Sequence, residues 1–330
     1  MGGFFDLAIA NLGSPLILSF VLGLAAALAR SDLSFPEAAA KALSIYLLFA
    51  IGFKGGVSVS QYGIDMALFS ALVAGVVLSA LVPFLAFGLL KVMTRLNRTD
   101  AAAVAGHYGS ISIVTFVAAT SVLQSQGIAS EGYMVAVAAA MEAPAILSAL
   151  WLVGGSGGRG EQSRMDASLG REILLNGSIV LLIGSFVIGI ITGEEGLAEI
   201  EAFIVSPFKG ALCIFLLDMG LIAGRGIRNS RGVITTGLFA FGILMPVIGA
   251  ALGTAAGLLI GLSPGGVFLL ATLSASASYI AVPAAMRVAL PEADPGIYLT
   301  LSLAITFPFN LTLGLPLYLY VASAITGGSP

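Results

Sequence analysis

Long apolar runs alternate with short breaks rich in charged residues, glycine, proline, asparagine and aspartate along the whole chain. A helix that crosses a bilayer needs about 20 mostly apolar residues, because each residue adds about 1.5 Å and the hydrocarbon layer is about 30 Å thick. The runs reach that length and therefore predict about ten membrane helices. The predicted spans lie near residues 13 to 30, 36 to 54, 66 to 92, 101 to 124, 131 to 153, 172 to 192, 201 to 223, 232 to 261, 264 to 288 and 296 to 323.

The basic residues favour one side of the predicted helices. Lys41, Lys54 and Lys209 lie near helix ends, and Lys54 and Lys209 are expected to reach outward without a site role. The other basic residues fall in the loops after the odd-numbered spans, which predicts that those loops are cytoplasmic and that both termini face outward. These residues are Arg30, Lys91, Arg95, Arg98, Arg159, Arg164, Arg171, Arg225, Arg228, Arg231 and Arg287. The loop predicted after the sixth span has instead Glu194, Glu195, Glu199 and Glu201.

The two halves of the chain share short motifs at a nearly constant spacing of about 166 residues. The motif SFVLG at Ser19 to Gly23 returns as SFVIG at Ser185 to Gly189, and Gly52 is matched by Gly220. Each half has five predicted spans, an odd number, so the two copies must have opposite orientations. The chain is therefore predicted to contain a first repeat at residues 1–153, a flexible cytoplasmic linker at 154–171 and a second, inverted repeat at 172–330. Inverted repeats are characteristic of secondary transporters, whose site lies near the midplane where interrupted helices meet.

The composition agrees with an all-α membrane protein and excludes several other classes. Hydrophobic residues make up 58% of the chain and charged residues 9%, with a mean hydropathy of +1.06, whereas a soluble domain carries about a quarter charged residues. The formal net charge of -3 offers no basic stripe for nucleic acid. Cys213 is the only cysteine, so an intramolecular disulfide is impossible. The sequence has no paired zinc histidines, Walker loop or supported Ser/His/Asp set, so we expect neither an enzyme nor a bound cofactor.

Two clusters of hydroxyl-bearing residues interrupt otherwise apolar spans. Polar groups are costly in hydrocarbon, so clusters deep in a span indicate a site. The alternative is that small residues simply let helices approach closely, but both clusters lie at equivalent repeat positions. We expect both spans to be broken there and to cross at the midplane, where carbonyls and hydroxyls bind a cation and helix N-termini attract an anion. The fourth span contains Ser110, Ser112 and Thr115, and the ninth contains Ser274, Ser276, Ser278 and Tyr279, whose alternation with alanine predicts a short extended segment.

Glu142 lies deep within the fifth span, beside the helix-breaking Pro144. A buried carboxylate needs a cation, a proton or a hydrogen-bond donor. Glu142 is therefore predicted to bind the coupling cation or a proton, with a structural hydrogen bond as the alternative. Its repeat equivalent is Thr306, and Asn310 lies one turn later, so the second half offers neutral oxygens instead.

Two further ionisable residues are candidates for a proton relay, His107 in the fourth span and Asp218 in the seventh. Both have structural alternatives. His107 can donate to a neighbouring carbonyl, and Asp218 can cap a helix or pair with Arg225 or Arg228.

Several motifs together resemble the sodium-dependent bicarbonate transporter (SbtA-type) permease family over most of the chain. Their order and spacing are more specific than any motif alone. They are Ile51 to Gly56, Gly106 to Thr115, Met141 to Ala145, and Ser274 to Pro283 followed by Arg287, Pro291 and the Asp294-Pro295 turn.

The resemblance implies ten helices in a five-plus-five inverted repeat and a core domain that moves against a gate domain. It also implies a homotrimer in the cell inner (plasma) membrane, sodium-coupled uptake of bicarbonate, and a PII-like regulatory protein as a further partner. Sodium would be the coupling ion, and the family's sites lie between the fourth and ninth spans. The expected anion site contains Ser112, Thr115, Ser276, Ser278 and Tyr279, and the expected cation site contains Glu142, Ser110, Ser274, Thr306 and Asn310.

Three positions depart from the family pattern. Tyr279 stands where the family has an aspartate, Val282-Pro283-Ala284 replaces Gly-Pro-Pro, and Ile113-Val114 replaces Gly-Ser. These departures remove a carboxylate and make the walls of the expected site bulkier. Bicarbonate is therefore the first expectation for the substrate, and another small carboxylate or an inorganic anion is the second. The alternatives are a bile-acid-symporter-like carrier of organic anions and a non-transporting membrane receptor with the same fold.

Overall fold

The computed structural model describes residues 9, 12–62, 66–154, 177–229, 234–279 and 281–327. The regular elements in these ranges are all helices. Most of the predicted linker, residues 155–171, lies outside the described residues, as do Arg159, Arg164, Arg171 and Arg231. The division into two repeats joined by a cytoplasmic linker therefore stays a prediction.

The helices follow the apolar runs of the sequence closely. The first half contains α1 (Pro15–Leu28), α2 (Glu37–Tyr62), α3 (Met66–Met93), α4 (Arg98–Gly109), α5 (Ile113–Gln126), α6 (Met134–Ala140) and α7 (Glu142–Gly154). The second half contains α8 (Gly177–Ile204), α9 (Phe208–Asn229), α10 (Thr236–Leu259), α11 (Pro264–Ala275), α12 (Ala281–Ala289) and α13 (Pro295–Thr326). Within α13, the segments Thr300–Thr306 and Asn310–Gly314 are π-helical.

Eight helical stretches of the described chain are long and apolar enough to cross a membrane, judged by length and composition. α4 and α5 together form one of them, Arg98–Gln126, and α6 and α7 form another, Met134–Val153. The apolar helices α1 and α11 are shorter. The eight stretches together with α1 and α11 correspond to the ten predicted spans. The chain is therefore an all-helical, multi-pass membrane protein.

The predicted acidic loop from Glu194 to Glu201 is wrong, because this segment is the last part of α8. Gly193 has a φ of 57° and a ψ of -150°, which glycine adopts at little steric cost, so the helix bends there and continues to Ile204. α2 is also longer than predicted and ends at Tyr62. Gln61 Nε2 donates a hydrogen bond to Glu194 Oε1, so the two extended helix ends hold each other.

Two pairs of helices cross at backbone-to-backbone distance. At the crossing of α1 and α9, a Cβ added to Gly23 would overlap the carbonyl oxygen of Leu217, and one added to Gly220 would overlap that of Phe20. Small residues at such crossings let the backbones approach and gain dispersion contacts, which is the main source of helix association in lipid. The same arrangement recurs between α2 and α8, where Gly56 meets the Phe186 carbonyl and Gly189 meets that of Phe53. We call α1, α2, α8 and α9 the paired helices.

The remaining long elements surround α4, α5, α11 and α12, which we call the crossing helices. α3 packs against α4 and α7, and α10 packs against α11. The buried apolar side chains form two clusters. One joins α5 and α11 to the paired helices, and the other joins α4 and α12 to α3, α7 and α10.

Two carboxylates join the N-terminal ends of crossing helices to loops from the other half of the chain. Asp100, in the first turn of α4, accepts a hydrogen bond of 2.8 Å from the backbone N–H of Asp294. Glu131, before α6, accepts hydrogen bonds of 2.7 Å and 2.9 Å from the N–H and the hydroxyl of Ser263, the N-cap of α11. Hydrogen bonds to ionised acceptors are roughly twice as strong as neutral ones. These carboxylate clamps therefore fix the N-terminal ends of α4 and α11.

The glycine crossings predict a contrast between two substitutions in α8. Gly189→Ala should lower the free energy of unfolding by about 1 to 3 kcal/mol, because the new Cβ forces α8 away from α2. Gly184→Ala, on the same helix with nothing within 4 Å of its Cβ position, should leave stability unchanged or slightly raised. Thermal unfolding of the purified proteins in detergent measures both. Equal midpoints for the two variants would contradict the close crossing.

Candidate functional site

The fourth span changes direction at three buried residues, 110–112, between α4 and α5. Ser110 and Ser112 both have extended backbone conformations. Ser112 is the N-cap of α5, and its hydroxyl accepts a hydrogen bond of 3.2 Å from the N–H of Thr115. The Thr115 hydroxyl donates a second one, of 3.0 Å, to the same oxygen. The two predicted anion-site hydroxyls of this span are therefore adjacent and linked.

The ninth span is interrupted after Ala275, where α11 ends. Ser276 is extended, and α12 begins at Ala281 with the Ser278 hydroxyl accepting a hydrogen bond of 3.3 Å from the N–H of Val282. The extended segment predicted from Ser274 is thus shorter than expected. Ser274 belongs to the last turn of α11. Serine and alanine are both small and compatible with a helix, so their alternation did not prevent the helix from continuing to Ala275.

The two interruptions contact each other directly. The backbone N–H of Ser112 donates a hydrogen bond of 2.8 Å to the Ser276 hydroxyl, which itself donates to the Leu273 carbonyl at 2.8 Å. The N–H of Ser278 donates to the His107 carbonyl at 2.8 Å. Backbone groups that lack helical partners in one half are therefore satisfied by the other half. The N-termini of α5 and α12 and the C-termini of α4 and α11 all meet at this crossing.

Several buried polar atoms at and around the crossing have no hydrogen-bond partner in the described part of the chain. Leaving such an atom unpaired costs about 1 to 3 kcal/mol, so each one needs an explanation, such as a ligand or a water molecule. The Tyr279 hydroxyl lies close enough to Ser112 to interact with its side chain, but the geometry between them falls short of a regular hydrogen bond. The unpartnered atoms are Ser110 Oγ, Ser274 Oγ, Tyr279 OH, Glu142 Oε2, His107 Nε2 and Ser302 Oγ.

Glu142 lies at the level of the first interruption. α7 runs antiparallel to α4. Arg98, at the start of α4, donates a hydrogen bond of 2.8 Å from Nε to the carbonyl of Leu152, near the end of α7. Ser79 of α3 donates a hydrogen bond to the carbonyl of Met141, and its own carbonyl lies against Gly109, the last residue of α4. Glu142 follows Met141 and is the first residue of α7. Its unpartnered oxygen is thus in the same layer as the residues that follow Gly109.

Thr306 and Asn310 lie at the crossing but are already engaged. The Thr306 hydroxyl donates to the Gly242 carbonyl at 2.7 Å and is 2.6 Å from the Tyr108 hydroxyl. The Asn310 side chain donates to the Ala275 carbonyl at 2.9 Å and accepts from the Tyr318 hydroxyl at 2.8 Å. Both residues therefore hold α13 against the crossing helices.

The two candidate proton relays have different surroundings. His107 is fully buried, its Nδ1 is 2.7 Å from the Ala103 carbonyl, and its ring stacks on that of Tyr298 at 4.3 Å. The contact with the Ala103 carbonyl is the structural hydrogen bond that was expected as the alternative to a proton relay. His107 Nε2 has no hydrogen-bond partner among the described residues. Asp218 lies on α9 among the paired helices, with Arg225 as its charged neighbour. A relay role for either residue stays a prediction.

Ser302 was not predicted as a site residue. It is fully buried within the π-helical segment Thr300–Thr306, between Tyr298, which stacks on His107, and Thr306, which contacts Tyr108. π-helical segments in α-helices are frequently found at functional sites. The only available sequence signal was its position one turn before Thr306 in an apolar helix.

The donor set at the crossing suits an alkali cation next to an anion. Hard cations prefer carboxylate, hydroxyl and carbonyl oxygens. Glu142, Ser110 and Ser274 each have an unpartnered oxygen of one of these kinds, and the Ser274 hydroxyl lies on the side of α11 that faces Gly253 of α10. Among the described residues, no group of three or more His, Cys, Asp or Glu could hold a metal ion. The residues present fit sodium, while the N-termini of α5 and α12 supply partial positive charge for an anion.

Comparison with known proteins gives one family. The model described as the Na+-dependent bicarbonate transporter superfamily matches residues 15–323, which include every residue of the crossing. No curated protein matches the chain.

The hydrogen bonds at the crossing predict opposite stability effects for two neighbouring serines. Ser276→Ala removes the acceptor of the buried Ser112 N–H and should lower the free energy of unfolding by about 1 to 3 kcal/mol. Ser274→Ala removes a hydroxyl that has no partner, so stability should stay unchanged or rise. Thermal unfolding in detergent distinguishes them. A larger loss for Ser274→Ala would show that its hydroxyl is used in the folded protein without ligand.

Proposed function

The chain belongs to the Na+-dependent bicarbonate transporter superfamily, and from that membership we propose that it takes up bicarbonate, or another small anion, together with sodium. The superfamily is one of transporters, which confirms the prediction that the chain is not an enzyme. The observation that carries the proposal is the buried crossing, where unpartnered oxygens lie beside two helix N-termini.

The anion would bind at the start of α5 and α12. Ser112, Thr115, Ser276 and Ser278 line these two N-termini, and the Tyr279 hydroxyl is unpartnered beside Ser112. A helix N-terminus provides free N–H groups and partial positive charge, and the hydroxyls add donors. Tyr279 brings a neutral donor where the family has an aspartate, which supports an anion that accepts a hydrogen bond there.

Sodium would bind on the carboxylate side of the crossing. Glu142 supplies negative charge, and Ser110 and Ser274 supply hydroxyl oxygens. Thr306 and Asn310 have side-chain oxygens that already accept hydrogen bonds, so they support the site by holding α13 in place and keep a free lone pair for the ion.

Coupling between the two ions follows from Coulomb's law. A cation beside Glu142 offsets the cost of bringing a second negative charge into a low-dielectric region, and the attraction between the ions adds to the affinity of each. Because linkage is reciprocal, sodium must raise the affinity for the anion by the same factor as the anion raises that for sodium.

The helix arrangement supports a five-plus-five inverted repeat with an elevator movement. Each crossing of the paired helices joins one helix of the first half to one of the second through a glycine from each. The two carboxylate clamps also join the halves in a reciprocal way. In one, Asp100 at the start of α4 contacts Asp294 in a loop of the second half. In the other, Ser263 at the start of α11 contacts Glu131 in a loop of the first half. In the elevator, the clamped crossing helices would move as a core against the paired helices.

Assembly, regulation and orientation are proposed from the superfamily and the sequence. The expected protein is a homotrimer in the inner (plasma) membrane with both termini outside. A PII-like regulatory partner is supported by the family resemblance alone, since most of the short cytoplasmic linker lies outside the described residues.

Uptake into proteoliposomes tests the proposal. Purified protein should drive accumulation of labelled bicarbonate under an inward sodium gradient and exchange it in counterflow. A panel of formate, acetate, nitrate and sulfate defines the substrate, and taurocholate tests the organic-anion alternative. Binding of an anion with no flux of any of them would favour a receptor and overturn the proposal.

Glu142→Gln should weaken the coupling to sodium. Loss of the negative charge is expected to raise the half-saturating sodium concentration about tenfold or more, which corresponds to about 1.4 kcal/mol, or to abolish sodium stimulation. Glu199→Gln, an exposed carboxylate on α8, is the matched control and should behave as wild type. Unchanged sodium activation in Glu142→Gln would remove this residue from the cation site.

A further inference from the structure

A cavity of about 280 Å³ lies between α2 and α5. Its polar lining includes Lys54 and Ser58 on α2, Thr120 and Gln124 on α5, and Ser130 and Glu131 from the loop before α6. A second cavity, of about 350 Å³, shares Ser58 and residues 129–132 with it. Together they form a space at the end of α2 that is predicted to face outward. We call the first cavity the vestibule.

The vestibule leads towards the crossing. Phe116, Thr120 and Gln124 line it at intervals of four residues, which places them on one face of α5. Ser112, the N-cap of the same helix, is one further turn along that face. The Phe116 ring is buried at this inner end, while Gln124 at the other end is exposed. A solute in the vestibule is therefore separated from the predicted anion site by about one helical turn.

Lys54 is a half-buried cation in this wall. Its ammonium lies over the ring of Phe208 on α9, 4.2 Å from the centroid, and the neighbouring charge is that of Lys209, another cation. No carboxylate takes part in the described interactions of Lys54. The expectation that Lys54 reaches outward stays a prediction, and the structure adds that its side chain lines a cavity between α2 and α5.

Glu131 is the acidic residue in the vestibule lining, and its charge is already directed elsewhere. One of its oxygens accepts from the N–H of Ser263 and the other from the hydroxyl, at the N-terminus of α11. The same carboxylate lies against Gly266 in the first turn of α11. Glu131 is thus paired with a helix end, so among the described residues that line the vestibule the uncompensated charge is that of Lys54.

We propose that Lys54 is an anion-capture residue, which holds a small monovalent anion in the vestibule before it reaches the crossing. The proposal rests on the transport function proposed above and adds a first binding step to it. A cation in a low-dielectric cleft concentrates anions locally and speeds their association. Ser58 and Gln124 provide neutral hydrogen-bond donors around the captured anion, while the Thr120 hydroxyl donates to the Val117 carbonyl at 2.8 Å and only lines the wall. Lys54 and Ser58 belong to the paired helices and Thr120 and Gln124 to the crossing helices, so the anion is captured where the two groups of helices meet.

Lys54→Gln should raise the KM for anion uptake on the order of tenfold while kcat and the half-saturating sodium concentration stay unchanged. The KM of wild type should also rise with ionic strength, varied with N-methylglucamine gluconate at fixed sodium, and that dependence should be reduced in the variant. Lys54→Arg keeps the charge and should restore the KM. Lys41→Gln, an exposed lysine of the same helix, is the matched control and should match wild type.

A binding measurement separates this proposal from the transport function. Bicarbonate or nitrate should slow acetylation of Lys54 by a water-soluble reagent in the purified protein, and leave acetylation of Lys41 unchanged, as read by mass spectrometry. If wild type transports the anion, Lys54 is not protected and the KM of Lys54→Gln is unchanged, the anion-capture proposal is overturned and the transport function stands. Protection of Lys54 without any wild-type flux would support capture and overturn transport. Equal loss of kcat in Lys54→Gln and Lys54→Arg would assign Lys54 a packing role against Phe208 and also overturn capture.

Discussion

The absence of water in the hydrocarbon layer governs this structure. A backbone N–H or carbonyl that leaves a helix inside the membrane must find a partner within the protein. The chain leaves its helices twice at buried positions, and the two interruptions supply partners for each other: the Ser112 N–H bonds to the Ser276 hydroxyl, and the Ser278 N–H bonds to the His107 carbonyl. Each interruption therefore depends on the other half of the chain for a hydrogen-bond partner.

The same constraint explains why polar atoms are left over. Backbone groups are satisfied first, and side chains such as Thr306 and Asn310 are used to hold neighbouring helices in place. Among the described residues, the buried oxygens that remain unpartnered belong to Ser110, Ser274, Tyr279, Glu142 and Ser302. Their presence lowers the stability of the ligand-free protein, and an ion that binds them recovers that free energy. Binding and stability are thus expected to be linked through the same few atoms.

The sequence was sufficient for features that depend on local composition. The lengths of the apolar runs predicted the helices, and the hydroxyl clusters predicted where two of them stop. Features that depend on distant partners were missed. The continuation of α8 past Gly193 relies on Gln61 of another helix, and the bond between Glu131 and Ser263 joins residues far apart in the chain. Ser302 resembles any small residue in an apolar helix until its neighbours Tyr298 and Thr306 are seen in contact with α4.

The bend at Gly193 affects how the molecule is seated in the lipid. A straight helix of 28 residues would be about 42 Å long, well beyond a hydrocarbon thickness of about 30 Å. The bend separates the apolar residues before Gly193 from an acidic segment whose glutamate side chains are exposed. The glycine contacts with α2 lie on the apolar side of the bend and hold the two helices together there. The bend therefore shortens the straight length that α8 would need to fit within the hydrocarbon layer, and α2 shares its depth.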